Sequence, residues 1–208
     1  MKINAVFMKP QKAKSKNPEF NTPLILSVIA VFFGLVSGAL IYCFMKDSLN
    51  ADILKLFTGF FYDFSGKTKA EILSGLIITV LPYIFLMFIF ALDLIGAPLS
   101  LVFTFFKSLA PTLLFSFLYR EYGLKGSEYV ILVLGAGELI SLFGVLLVCT
   151  ATYKASSALR EFLRSTKGEL PQEIRSFLLK FTVGAGVIIF SRFVTFLTVT
   201  GFKDLFSF

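Results

Sequence analysis

Five apolar runs, at about 23–45, 72–95, 97–119, 128–152 and 177–200, dominate the 208-residue chain. Each is long enough, at roughly 20 residues or more, to cross a hydrocarbon core of about 30 Å as a helix. Lipid offers no water to bond backbone N–H and C=O groups, so spans of this kind must satisfy themselves as helices. The expected fold class is an all-α integral membrane protein, with about five transmembrane helices and one outer amphipathic helix. Composition agrees: 56% of residues are hydrophobic, above the roughly 45–50% of soluble domains.

The third and fourth runs form the most informative pair, joined through the polar loop 120–127. Each carries one charge near its middle, Lys107 and Glu138. Lys107 precedes Tyr119 by twelve residues and Glu138 follows Ser127 by eleven. At about 1.5 Å per residue both lie some 16–18 Å below one membrane surface. Arg192 in the fifth run matches Glu138 in depth when counted from the other surface. A charge at mid-membrane costs on the order of 3 kcal/mol on insertion scales, so it is retained for pairing or for function. Lys107, Glu138 and Arg192 are the candidate polar core. Glu138 either pairs with Lys107, Arg192 or both, or belongs to a proton relay or anion site.

Charge in the connecting segments sets the expected orientation. The N-terminal tail carries Lys2, Lys9, Lys12, Lys14 and Lys16 against Glu19. The segment between the last two spans carries Lys154, Arg160, Arg164, Lys167, Arg175 and Lys180 against Glu161, Glu169 and Glu173. With five spans these segments share a side and hold the whole net charge of +7, while the opposite side sums to zero. The positive-inside rule then puts residues 1–22 in the cytoplasm as a basic tail and the C-terminus outside. The basic surplus thus marks topology and attraction to the lipid bilayer, not nucleic acid. The run from Leu24 to Met45 is too long for a signal-peptide core and is read as a retained span, opening a membrane domain over 23–208.

Within that domain, Gly34 and Gly38 are spaced as GxxxG, which lets a second backbone approach closely. The contact lies within the chain or between copies in a homo-oligomer. Gly135 and Gly137 flank the approach to Glu138 and are read in the same way. In the outer segment 46–71, apolar residues from Leu49 to Phe64 recur at helical spacing. This predicts an amphipathic helix over 48–64, lying in the interface or presenting Phe57, Phe60, Phe61 and Phe64 to a partner. Pro82 predicts a kink in span two, and Asp93 to Pro98 a tight inner turn. Pro111 frees the carbonyl of Lys107, four residues back.

Catalytic chemistry finds little support. The chain has no His and two Cys, which leaves no Ser–His or Cys–His pair and no zinc or haem ligand set. Cys43 and Cys149 fall towards opposite membrane faces, so a disulfide between them is not expected. Asp47, Asp52, Asp63 and Glu71 are scattered without metal-ligand spacing. No enzyme activity, metal or cofactor is expected. A small-solute or proton-linked carrier using the polar core is the alternative to a scaffold.

The order of these features resembles the stage II sporulation protein M family over about residues 24–200. A basic tail and a GxxxG span precede Phe57-Thr58-Gly59-Phe60-Phe61. A span–turn–span unit around Ile95-Gly96-Ala97-Pro98 follows, then Gly135-Ala136-Gly137 before a mid-membrane polar residue. The resemblance implies a multi-pass protein of the engulfing septal membrane in endospore-forming bacteria. It implies a membrane anchor for peptidoglycan hydrolases of the stage II sporulation D and P type during forespore engulfment. The resemblance carries no catalytic residue.

Overall fold

The computed structural model describes residues 21–44, 68–164 and 172–202. Among them every regular element is helical. They are α1 (Thr22–Phe44), α2 (Lys69–Ile78), α3 (Leu81–Ala91), α4 (Gly96–Tyr122), α5 (Leu124–Tyr129), a π-helical segment (Val130–Gly135), α6 (Ala136–Arg164) and α7 (Gln172–Phe202). Five stretches are long and apolar enough to cross a membrane: Thr22–Ile41, Lys69–Ala91, Gly96–Arg120, Leu124–Arg164 and Glu173–Phe202. The chain is an all-α multi-pass membrane protein. The segments bearing the basic tail and Phe57, Phe60, Phe61 and Phe64 lie outside the described residues.

α6 is the hub, packing on α7 along most of its length and also on α1, α3 and α4. Its sequence explains the role, since the buried positions include Gly137, Ser141, Gly144, Ala151, Ala155, Ser156 and Ala158. Association in lipid depends on close backbone contact, which small residues permit. Large apolar side chains point the other way: Phe32, Phe85, Phe106, Phe143 and Phe190 are all exposed on the bundle surface. That surface is the one a bilayer solvates.

Two boundaries differ from the sequence reading. The fourth span does not end near 152 but continues to Arg164, and the fifth begins at Gln172 instead of 177. No Gly or Pro interrupts 151–164, and Ala151, Ala155 and Ala158 stay packed, so nothing ends the helix at the apolar limit. The expected polar loop 120–127 is also not a loop. α4 runs through Arg120 to Tyr122, and the break is confined to Gly123, whose φ of +59° suits a residue without Cβ. Gly126 then abuts the backbone of Leu118, closing the corner.

Span two is broken where Pro82 requires it. α2 stops at Ile78, Thr79 and Val80 form the joint, and Pro82 falls in the first turn of α3. Proline lacks the N–H that would have bonded Ile78 O, and its ring excludes an unbroken helix there. The start of α2 carries a capping box, in which Thr68 N donates to Glu71 Oε2 (2.8 Å) and Glu71 N to Thr68 Oγ1 (3.4 Å). Pro111, by contrast, is accommodated inside a continuous α4.

The core divides into two apolar layers. One gathers Val80, Tyr83, Met87, Val145, Val148, Phe177, Phe181 and Ile188. The other gathers Ile72, Leu76, Leu114, Leu118, Val133, Leu134 and Val199. On α4, α6 and α7 alike, the buried residues between these layers are polar or small: Thr104 and Ser108, then Gly137, Ser141 and Gly144, then Ser191, Arg192 and Thr195.

Candidate functional site

That intermediate level is where the charges meet. Gly137 allows α7 to approach so closely that a Cβ there would strike Thr195 Oγ1 and lie 3.0 Å from Ser191 O. Gly144 and Gly184 also leave no room for a Cβ further along the same interface, with the nearest atoms 2.6 and 2.8 Å away. Across it, Arg192 Nη1 donates to Glu138 Oε1 at 2.6 Å, and Nη2 donates to Ser141 Oγ at 3.1 Å. Glu138 and Ser141 are three residues apart on α6, so one guanidinium spans one helical turn. Arg192 is 2% exposed and the Glu138 side chain 20%. Charge-assisted bonds of this length are the strong kind, but they offset the loss of hydration only while both partners remain. Among the described residues one buried side-chain polar atom is left over: Arg192 Nε has no hydrogen-bond partner.

Lys107 belongs to the same level without joining the ion pair. It is half-buried on α4 between Thr104 and Ser108, both fully buried. Among the described residues no ion pair joins it to Glu138, whose carboxylate is taken by Arg192. Of the two pairings open to Glu138 in the sequence, the structure forms the one with Arg192.

α1 closes the side of α4 next to Lys107. A Cβ on Gly34 would lie 2.9 Å from Ser108 Cβ and run into Phe105 O, and one on Gly38 would strike Leu109 O and Thr112 Oγ1. The Gly34/Gly38 face therefore packs within the chain. Gly135 has no such neighbour: it faces only Val130 O of its own helix, at 3.4 Å. The six residues that precede α6 are wound as a π-helix, and the hydroxyl of Thr198 on α7 lies against Val133 O in that segment.

A second polar seam, not anticipated from the sequence, ties α3 and α4 to α6. Tyr83 OH and Thr104 Oγ1 bond at 3.1 Å, Thr152 Oγ1 donates to Met87 O at 3.2 Å, and Cys149 Sγ donates to Ser100 O at 3.6 Å. At its end, Ser156 serves both sides of the turn after α3. It donates to Asp93 O at 2.7 Å and accepts from Ala97 N at 2.9 Å. Arg160 Nε and Nη2 donate to Leu94 O at 3.1 and 2.8 Å. Asp93 stays local, accepting from Ile95 N at 3.3 Å. The available signal was spacing: Ser100, Thr104 and Ser108 recur every four residues, as do Thr152, Ser156 and Arg160.

Cys43 and Cys149 are both free, the first exposed and the second buried. Among the described residues no three His, Cys, Asp or Glu side chains are grouped to hold a metal ion. An open cleft of about 810 Å³ lies near the N-terminus of α1, bounded by Asn21, Tyr153, Lys154, Glu161, Glu173 and Lys180. Comparison with known proteins found no matching family model, no matching curated protein and no matching solved structure.

Proposed function

We propose that the chain is a membrane anchor for a peptidoglycan-remodelling assembly, acting in forespore engulfment and without hydrolase activity of its own. The observation that carries this reading is the engagement of Glu138 by Arg192 at 2.6 Å, which binds α6 to α7. A mid-membrane carboxylate held this way fixes helix register and serves a static bundle. The resemblance to the stage II sporulation protein M family supplies the partners, hydrolases of the D and P type. It also supplies the setting, an engulfing septal membrane with the N-terminus cytoplasmic and the C-terminus outside. The Phe-rich segment 57–64 is the docking face in this reading.

The test is affinity purification of the tagged chain from host membranes during sporulation, with a mock-tagged membrane protein as control. Peptidoglycan cleavage that co-purifies with the tagged chain supports the anchor. Clean recovery of the chain without cleavage rejects it. A second reading, a small-solute carrier, is favoured by Lys107, a mid-membrane cation outside the ion pair. Solute or proton flux in reconstituted vesicles, lost in Lys107→Gln, would establish that alternative.

A further inference from the structure

The cleft at the N-terminus of α1 is a gap left by the helix packing. α1 and α7 both pack on α6 without extensive contact between them, so α6 forms a floor between two walls. The two lysines that line it are the charges nearest the apolar interior. Inward of Lys154 the next charge on α6 is Glu138, and inward of Lys180 the next on α7 is Arg192. The two lining glutamates, Glu161 on α6 and Glu173 on α7, lie seven residues further out. Seven residues are two turns, which keeps lysine and glutamate on one face of each helix, about 10 Å apart along its axis.

The antiparallel register brings like charges to one level. Gly184 packs on Val148 and Gly144 on Ile188, and the same register carried outward sets Lys154 opposite Leu178 and Glu173 opposite Leu159. Each like pair therefore agrees in level to within two residues, or about 3 Å. Lys180 Nζ leans toward the outer level, donating to Ser176 Oγ at 3.0 Å. Among the described residues no ion pair joins either lysine to either glutamate. The cleft thus presents positive charge beside the hydrocarbon and negative charge beyond it.

We infer that this cleft binds the headgroup of a zwitterionic phospholipid of the ethanolamine type. In such a lipid the phosphate adjoins the glycerol and acyl chains, and the ammonium is the outermost group. With its chains along the spans, the lipid sets phosphate at Lys154 and Lys180 and ammonium at Glu161 and Glu173. A purely anionic headgroup matches the lysines but is repelled by the glutamates. A primary ammonium offers three N–H donors to the two carboxylates, and a choline headgroup offers none. The volume of about 810 Å³ falls within the roughly 300–1,000 Å³ of small-molecule sites. The site is independent of whether the chain anchors a partner.

The experiment is native mass spectrometry of the purified full chain, released from micelles holding equal amounts of chain-matched phosphatidylethanolamine, phosphatidylcholine and phosphatidylglycerol. The expected result is a one-to-one ethanolamine-lipid complex about fivefold more abundant than either competitor, the return of two exposed ion pairs. Glu161→Gln with Glu173→Gln should abolish the preference over phosphatidylglycerol, and Lys154→Gln with Lys180→Gln should weaken retention of all three lipids. Equal retention of the three lipids by the wild-type chain would overturn the proposal. So would an undiminished preference in the double glutamate variant. Free phosphoethanolamine at the lipid concentration should leave the complex intact, and displacement would reject a lipid as the occupant. Should a variant fail to fold, the wild-type chain decides with the mono- and dimethylated ethanolamine lipids. Retention that falls with each methyl supports the site, and level retention rejects it.

Discussion

Arg192 and Glu138 face each other across the α6–α7 interface with Nη1 and Oε1 2.6 Å apart, and Ser141 takes the second guanidinium nitrogen. Removing one member leaves the other buried with its charge uncompensated. Glu138→Ala should destabilise the protein by about 3–5 kcal/mol, read as a lower unfolding midpoint and reduced abundance in membranes. The double replacement Glu138→Leu with Arg192→Met should recover most of that loss, because no charge is then stranded. Wild-type stability in Glu138→Ala would refute the pairing.

The contact of α1 with α4 depends on the absence of side chains at two positions. Gly34→Leu or Gly38→Leu would drive a side chain into Phe105 O or Leu109 O, neither of which can swing aside. Overpacking of this kind costs about 1–3 kcal/mol. Gly75→Ala provides the control, since nothing lies within 4 Å of a Cβ there, and should be neutral or stabilising. Proteolytic sensitivity of α1 in nanodiscs should rise for the first two variants only.

Ser156 is a single hydroxyl bonded to a carbonyl and an amide of one turn. Ser156→Ala should cost roughly 1–3 kcal/mol, because Ala97 N loses its partner in a buried setting, while Asp93 O keeps Gly96 N. Hydrogen exchange at Ala97 N–H should speed up measurably. Gly96→Ala should be the more severe change, as a Cβ there would collide with Phe90 O. Unchanged exchange in Ser156→Ala would mean the turn holds without it.

The Tyr83–Thr104 bond tests how much a neutral hydrogen bond contributes inside this bundle. A double-mutant cycle with Tyr83→Phe and Thr104→Val should return a coupling of about 0.6 kcal/mol, and no more than about 1.7 kcal/mol. A coupling near zero would show that other partners replace it.

What the sequence made readable was set by distance along the chain. Apolar length exposed the spans, and residue counting from either surface placed Lys107, Glu138 and Arg192 at one level. Counting cannot rank two cations around one acid, since that depends on which helices touch. α6 lies on α7 more extensively than on α4, and Glu138 accordingly pairs with Arg192. The continuation of α6 to Arg164 escaped notice because hydropathy falls at Tyr153-Lys154 while small buried residues continue every few positions. Gly135 and Gly137 look alike in sequence, yet only the second meets α7. The π-helical turn has no compositional signature in Val130 to Gly135.

That turn separates two parts of one long span. An α-helix transmits angular phase rigidly, so the Gly123–Gly126 corner would otherwise dictate where Glu138 points. A π turn accommodates an added residue without ending the helix. The π segment therefore offsets the phase of the part that carries Glu138 from that of the part leaving the corner, within one continuous span.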